Sequence, residues 1–151
     1  MEGKTKKAKV GELIELWRMA ANRDAAFDRI AAGRLGVSET DLHCLNIIES
    51  RSGLTAGELA RESGLTTGAV TAVIDRLDRA GLARRVSDER DRRKVLVEVT
   101  PEFYARAREI WGPVAADWQR SISRRFSAEE LAVIAAFLEQ AAELAERHSA
   151  G

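Results

Sequence analysis

Apolar positions along most of this chain recur every three or four residues, the period of a helix buried along one stripe. Leu13, Leu16, Trp17, Ala20, Phe27, Ile30 and Ala31 set that period first and predict a helix from Val10 to Gly33. Gly36 and Ser38 break the chain and restart it. Ser38-Glu39-Thr40-Asp41 has the spacing of a capping box, with Asp41 where Glu or Gln is usual. The helix it opens runs to Ser50, buries Leu42, Leu45 and Ile48, and stops at Ser52-Gly53. Thr55-Ala56-Gly57-Glu58 is a second capping box, opening a short helix that closes at Gly64. Thr66 caps the next helix, which points Val70, Ile74 and Leu77 into the core and ends at Gly81. The period then falls to two. Leu82 to Ser87 and Val95 to Thr100 predict a hairpin, with Val95, Val97 and Val99 alternating against Leu96 and Glu98 on a sheet with one buried face. Thr100-Pro101 starts a long helix striped by Phe103, Ala107, Ile110, Trp111, Val114, Trp118 and Ile122. Pro113 lies inside that stripe and predicts a kink or a break. Ser127-Ala128-Glu129-Glu130 is a third capping box, and the last helix carries Leu131, Ile134, Leu138, Ala141 and Ala145 on one face.

Four helices, a hairpin and two more helices predict a mainly α (α+β) fold: a winged helix-turn-helix over residues 38–100 within one domain of 151 residues. The helices at 10–35 and 101–148 lie outside that module. Their apolar stripes exceed what a module of about 65 residues can cover. Burying them on each other and on a second copy predicts a homodimer with long N- and C-terminal dimerisation helices.

Composition narrows the function classes. With 45% hydrophobic and 32% charged residues the chain reads as globular. No apolar run approaches the roughly 18 residues of a membrane span. The opening MEGKTKKAKVGEL has lysines but not the apolar core of a signal peptide, so a cytoplasmic location is expected. Lys4, Lys6, Lys7 and Lys9 read as a disordered basic tail. The single cysteine, Cys44, excludes an intrachain disulfide. It lies among the apolar positions of its helix and reads as buried and inert. His43, Cys44 and His148 have no metal-ligand spacing, and no phosphate loop, dinucleotide fingerprint or nucleophile elbow occurs, so no metal, no cofactor and no enzymatic activity are expected. Net charge is zero, yet residues 84–94 hold six Lys and Arg against three Asp and Glu. The basic character is concentrated on the hairpin, and its placement matters more than the total.

That placement points to double-stranded DNA. A helix opening with small polar residues suits the major groove, and an arginine hairpin beside it suits the neighbouring minor groove. Thr67, Gly68, Ala69, Thr71 and Ala72 are the groove-facing candidates, with Thr66 at the cap; the alternative for Thr66 and Thr67 is capping alone. Arg76, one turn on, suits a phosphate, or else a surface ion pair with Asp75 or Asp78. Arg90, Arg92 and Arg93 are the wing candidates, braced by Asp88 and Asp91 through bidentate pairs. A solvated charge run is the alternative there.

The wing Asp88-Glu89-Arg90-Asp91-Arg92-Arg93 matches a D-x-R-D-x-R pattern. With the run Leu77-Asp78-Arg79-Ala80-Gly81-Leu82-Ala83-Arg84-Arg85 and the helix order, it makes nearly the whole chain resemble the multiple antibiotic resistance regulator (MarR) family of bacterial transcription regulators. The resemblance implies a dimeric regulator, usually a repressor, on a pseudo-palindromic operator, released by a small aromatic or lipophilic effector. It also draws attention to Trp17, His43, Trp111 and Trp118 as candidate ligand-pocket residues; core or dimer-interface packing is the alternative for these aromatic stripes. The family's oxidant-sensing members carry a reactive cysteine near the first helix, where this chain has none. The competing class is a winged-helix protein-interaction module without DNA binding.

Overall fold

The computed structural model describes residues 2–51 and 53–149; Ser52, expected at a helix stop, lies outside them. Nine elements follow in order: α1 (Glu2–Leu35), α2 (Glu39–Arg51), β1 (Leu54–Thr55), α3 (Ala56–Ser63), α4 (Thr67–Arg79), β2 (Ala83–Ser87), β3 (Val95–Val99), α5 (Pro101–Arg125) and α6 (Ala128–Ser149). They fall into two compact units, Met1–Ile110 and Trp111–Gly151.

In the first unit, α2, α3 and α4 enclose a core of Leu42, Leu45, Ile48, Leu59, Val70, Val73, Ile74 and Leu77, closed by Leu54, Leu82 and Val97 from the sheet side. The sheet is antiparallel, with order β1-β3-β2. Ala83 faces Val99 and Ser87 faces Val95, so the hairpin keeps its register to the tip. β1 is a two-residue strand that pairs Leu54 with Val97. It escapes the sequence pattern because so short a run has no periodicity. The alternation on β3 is less clean than expected: Val97 is buried, but Val95, at the wing's outer end, is 52% exposed.

The helix boundaries follow from local hydrogen bonding. Ser38 and Asp41 exchange backbone and side-chain bonds, as do Thr55 and Glu58. At the end of α4, Ala80 is the cap and Gly81 takes φ +71°. Leu82 N–H then bonds the Leu77 carbonyl and Gly81 N–H the Asp78 carbonyl, the Schellman pattern. The same pattern at Gly36 and Val37 stops α1 at Leu35, two residues beyond the expected Gly33. α1 also begins earlier than expected. The lysine-rich segment read as a disordered tail is helical from Glu2, because Lys, Ala and Glu are good helix formers even without an apolar stripe. Arg106 of α5 donates to the Leu35 and Arg34 carbonyls at 2.8 and 3.3 Å and so closes the end of α1.

The second unit holds the rest of α5 and α6. Pro113 does not interrupt α5; it removes one N–H from a helix that continues on both sides. Ser127 and Glu130 form the third capping box. Arg125 lies over the Phe126 ring, and Arg120 pairs with Asp117. Of the expected α6 stripe, Leu131 and Ala141 are half-buried while Ile134 and Leu138 are exposed. Among the described residues no helix is long and apolar enough to cross a membrane.

Candidate nucleic-acid interface

α3, a turn at Gly64-Leu65 and α4 form the helix-turn-helix. Advancing about 100° per residue, α4 puts its buried Val70, Val73, Ile74 and Leu77 on one side. Gly68, Ala72, Asp75 and Arg79 fall opposite them, with Thr67 and Thr71 on one flank and Ala69 and Arg76 on the other. Thr66, Thr67, Gly68, Ala69, Thr71 and Ala72 are all exposed. Thr66 acts as the N-cap, its hydroxyl accepting from Ala69 N–H at 3.2 Å. The Thr71 hydroxyl donates to the Thr67 carbonyl at 3.0 Å, so on this exposed residue its oxygen can still accept a hydrogen bond. Nothing lies within 4 Å of where a Gly68 side chain would begin, so the start of α4 is open for close approach.

Arg76 is not a free cation on the outer side, and its partner is neither Asp75 nor Asp78. Its guanidinium forks onto Asp41 of α2, Nη2 to Oδ1 at 2.6 Å and Nε to Oδ2 at 3.1 Å. Burial pushes the Asp41 carboxyl up, but the Arg76 and Ser38 hydrogen bonds more than reverse this and hold it below the usual carboxylate range. In the sequence Asp41 reads only as a cap. The missed signal is that Asp41, Leu45 and Ile48 share one helical stripe, where a carboxylate needs a cation. Asp75 and Arg79, also missed, are the outward residues one and two turns after Ala72. Asp75 pairs with Arg85 of β2 at 2.7 Å, joining α4 to the wing, and Arg79 Nε bonds the Asp75 carbonyl.

The wing tip spans residues 88–94. Asp88 N–H bonds the Lys94 carbonyl, and Lys94 N–H the Asp91 carbonyl, at 3.0 and 2.8 Å. The two aspartates brace the backbone rather than forming the expected bidentate side-chain pairs. Asp88 accepts from Arg90 N–H at 2.8 Å, and one oxygen of Asp91 accepts both N–H and Nε of Arg93. The geometry is that of Asx turns, whose short side chains replace backbone bonds. Among the described residues, the Arg90 and Arg92 side chains have no hydrogen-bond or ion-pair partner. Arg93 is 94% exposed despite its contact with Asp91.

The aromatic candidates divide between the units. Trp17 and His43 are exposed on α1 and α2; Trp111 is half-buried and Trp118 is 67% exposed on α5. Cys44 is fully buried, and burial, with Asp41 nearby, raises its thiol pKa. Among the described residues no group of acidic, histidine or cysteine side chains is arranged to hold a metal ion.

Residues 37–95 match the model of the MarR family. The chain is 34% identical over 133 residues to YcgE of Bacillus subtilis, an uncharacterized HTH-type transcriptional regulator, covering 88% of this chain and 86% of that one. In fold it is similar to a MarR family protein from Bacillus stearothermophilus, with a TM-score of 0.69 and 24% identity over 93% of this chain and 97% of that one. It is also similar to a MepR mutant of S. aureus bound to an oligodeoxyribonucleotide, at TM-score 0.56 and 20% identity over 87% and 96% of the two chains.

Proposed function

The chain belongs to the MarR family of transcriptional regulators, and on that footing we propose that it acts as a homodimer on a pseudo-palindromic operator through α4 and the β2-β3 wing. One observation carries this reading: an open, small-residue helix start stands beside a hairpin tip whose arginines are exposed. Thr67, Gly68, Thr71 and Ala72 face base edges, where hydroxyl oxygens accept from exocyclic amines and methyls meet thymine methyls. Arg90 and Arg92 reach the minor groove or its phosphates, and Arg93 stays tethered to Asp91. The MepR structure of similar fold, solved with an oligodeoxyribonucleotide, supports the same use of the module. Exposed Val10, Leu13, Ile14 and Trp17 on α1, and Val133, Ile134 and Leu138 on α6, support pairing with a second copy. The role is binding rather than turnover, in the cytoplasm, with repression the commoner outcome in such regulators. A small aromatic or lipophilic effector beside Trp17 and His43 is part of the proposal; titration of tryptophan fluorescence tests it.

The test of the main reading is a mobility shift on DNA upstream of the chain's own gene, at moderate salt with excess competitor. A discrete complex that competitor does not remove is expected. A complex fully competed away by nonspecific DNA contradicts sequence-specific binding there.

A further inference from the structure

Asp41 is the one polar or charged residue buried among the described residues, at 3% exposure. It stands on the core stripe of α2, where packing alone calls for an apolar side chain. A carboxylate in that place is costly unless charge and hydrogen bonds compensate it. The compensation comes from two elements. Ser38 N–H donates to Oδ2 at 3.4 Å from the start of α2, and Arg76 supplies its fork from α4, 35 residues away in sequence. A capping box needs only the Ser38 half of this arrangement. The Arg76 half ties the recognition helix to the scaffold.

What that tie controls follows from the rest of the α4 contact. Val70, Val73, Ile74 and Leu77 hold the helix by apolar burial, which is non-directional and tolerates a small roll. A guanidinium fork on a carboxylate is directional. A side-chain tip about 6 Å from the axis moves roughly 2 Å for a roll of about 20°. That shift separates a donor from a base-edge acceptor. Arg76 lies on the flank between the core stripe and the outward face, where a fixed point resists rolling most directly. Asp75–Arg85 provides the second point, between α4 and the wing.

We infer that Asp41 is a positioning residue of DNA recognition: through Arg76 it sets the roll of α4, and thereby which of Thr67, Gly68, Thr71 and Ala72 meet base edges, without touching DNA itself. The inference rests on the proposed reading of α4.

The test compares wild type, Asp41→Asn, Arg76→Gln, their double variant and Arg76→Lys. Affinity is measured on a duplex selected by the wild-type chain from a random pool and on a scrambled duplex of equal length. The temperature is kept well below every variant's unfolding transition. Asp41→Asn and Arg76→Gln should each lower the selected-to-scrambled affinity ratio about tenfold, with scrambled binding and the salt slope unchanged. The double variant should be no worse than either single one. Arg76→Lys keeps the charge, loses the fork, and should also lower the ratio; it serves where removal of the charge prevents folding. An unchanged ratio in Asp41→Asn, alongside lowered stability, overturns the inference in favour of a strut without influence on recognition. Equal loss on both duplexes in Arg76→Gln, with the salt slope reduced by about one and Asp41→Asn unaffected, overturns it in favour of a phosphate contact. A wild-type chain that selects no duplex removes the reading of α4 and the inference together.

Discussion

Asp41 is held ionised by Arg76 and Ser38. Its replacement by Asn keeps the shape, loses charge-assisted bonds, and should cost about 1–3 kcal/mol in urea denaturation. The folded carboxyl lies below its unfolded value, so its stabilisation is complete above the ordinary Asp pKa of about 3.9 and is lost as pH falls through the folded value. The wild-type advantage over Asp41→Asn should therefore hold from neutral pH down to about pH 3.9 and narrow only below it; an advantage that grows on acidification contradicts the assignment. Cys44 is buried with its thiol pKa raised. It should react with an aromatic disulfide reagent far more slowly in the native chain than in denaturant, and equal rates would refute its burial. The burial of Cys44 was legible in the sequence from its apolar neighbours, and so were the three capping boxes. The Arg76–Asp41 pair was not, because its partners are 35 residues apart and sequence spacing along one helix offered Asp75 and Asp78 instead.

The elements divide by how local their causes are. Caps, turns and the switch from helical to alternating period fixed α2 to β3 closely, because each boundary is made by neighbouring residues. β1 and the first turns of α1 were missed for want of an apolar pattern, and of the kink or break that Pro113 predicts the break does not occur: α5 runs on through Gly112 and Pro113, because one lost N–H is not enough to end it. Gly81 shows what a boundary residue is worth. Nothing lies near its missing side chain, so Gly81→Ala should cost about 1–2 kcal/mol from backbone strain alone. Gly68→Ala is the opposite case, also in open space but within α4 and with no positive φ. It should stabilise the chain by about 0.5 kcal/mol and weaken operator binding, since the new methyl stands between helix and bases; unchanged binding would place Gly68 away from the groove. On the wing, replacing Arg90, Arg92 and Arg93 together by Ala should lower affinity at least tenfold and reduce the salt slope by about 0.9 for each lost phosphate contact. The melting transition should move little, because the wing is held by backbone bonds to Asp88 and Asp91 and by the strand register, and among the described residues the one side-chain bond of these arginines, Arg93 to Asp91, is exposed.

For the whole molecule, the apolar positions left exposed on α1 and α6 are where the sequence pattern and a single chain part company. The pattern marks those stripes as buried, and one copy leaves them open; a second copy reconciles the two. Ile14→Glu should weaken the dimer at least tenfold, about 1.4 kcal/mol, in sedimentation equilibrium, and make operator binding steeply dependent on protein concentration. The central claim is that two copies present α4 and its wing to one symmetric DNA site. Selection of bound duplexes from a random pool by the purified chain tests it most directly. The expected result is an inverted pair of half-sites whose centres lie about one helical turn, roughly 34 Å, apart. A pool that remains as random as it began, or an enriched site without inverted symmetry, would contradict it.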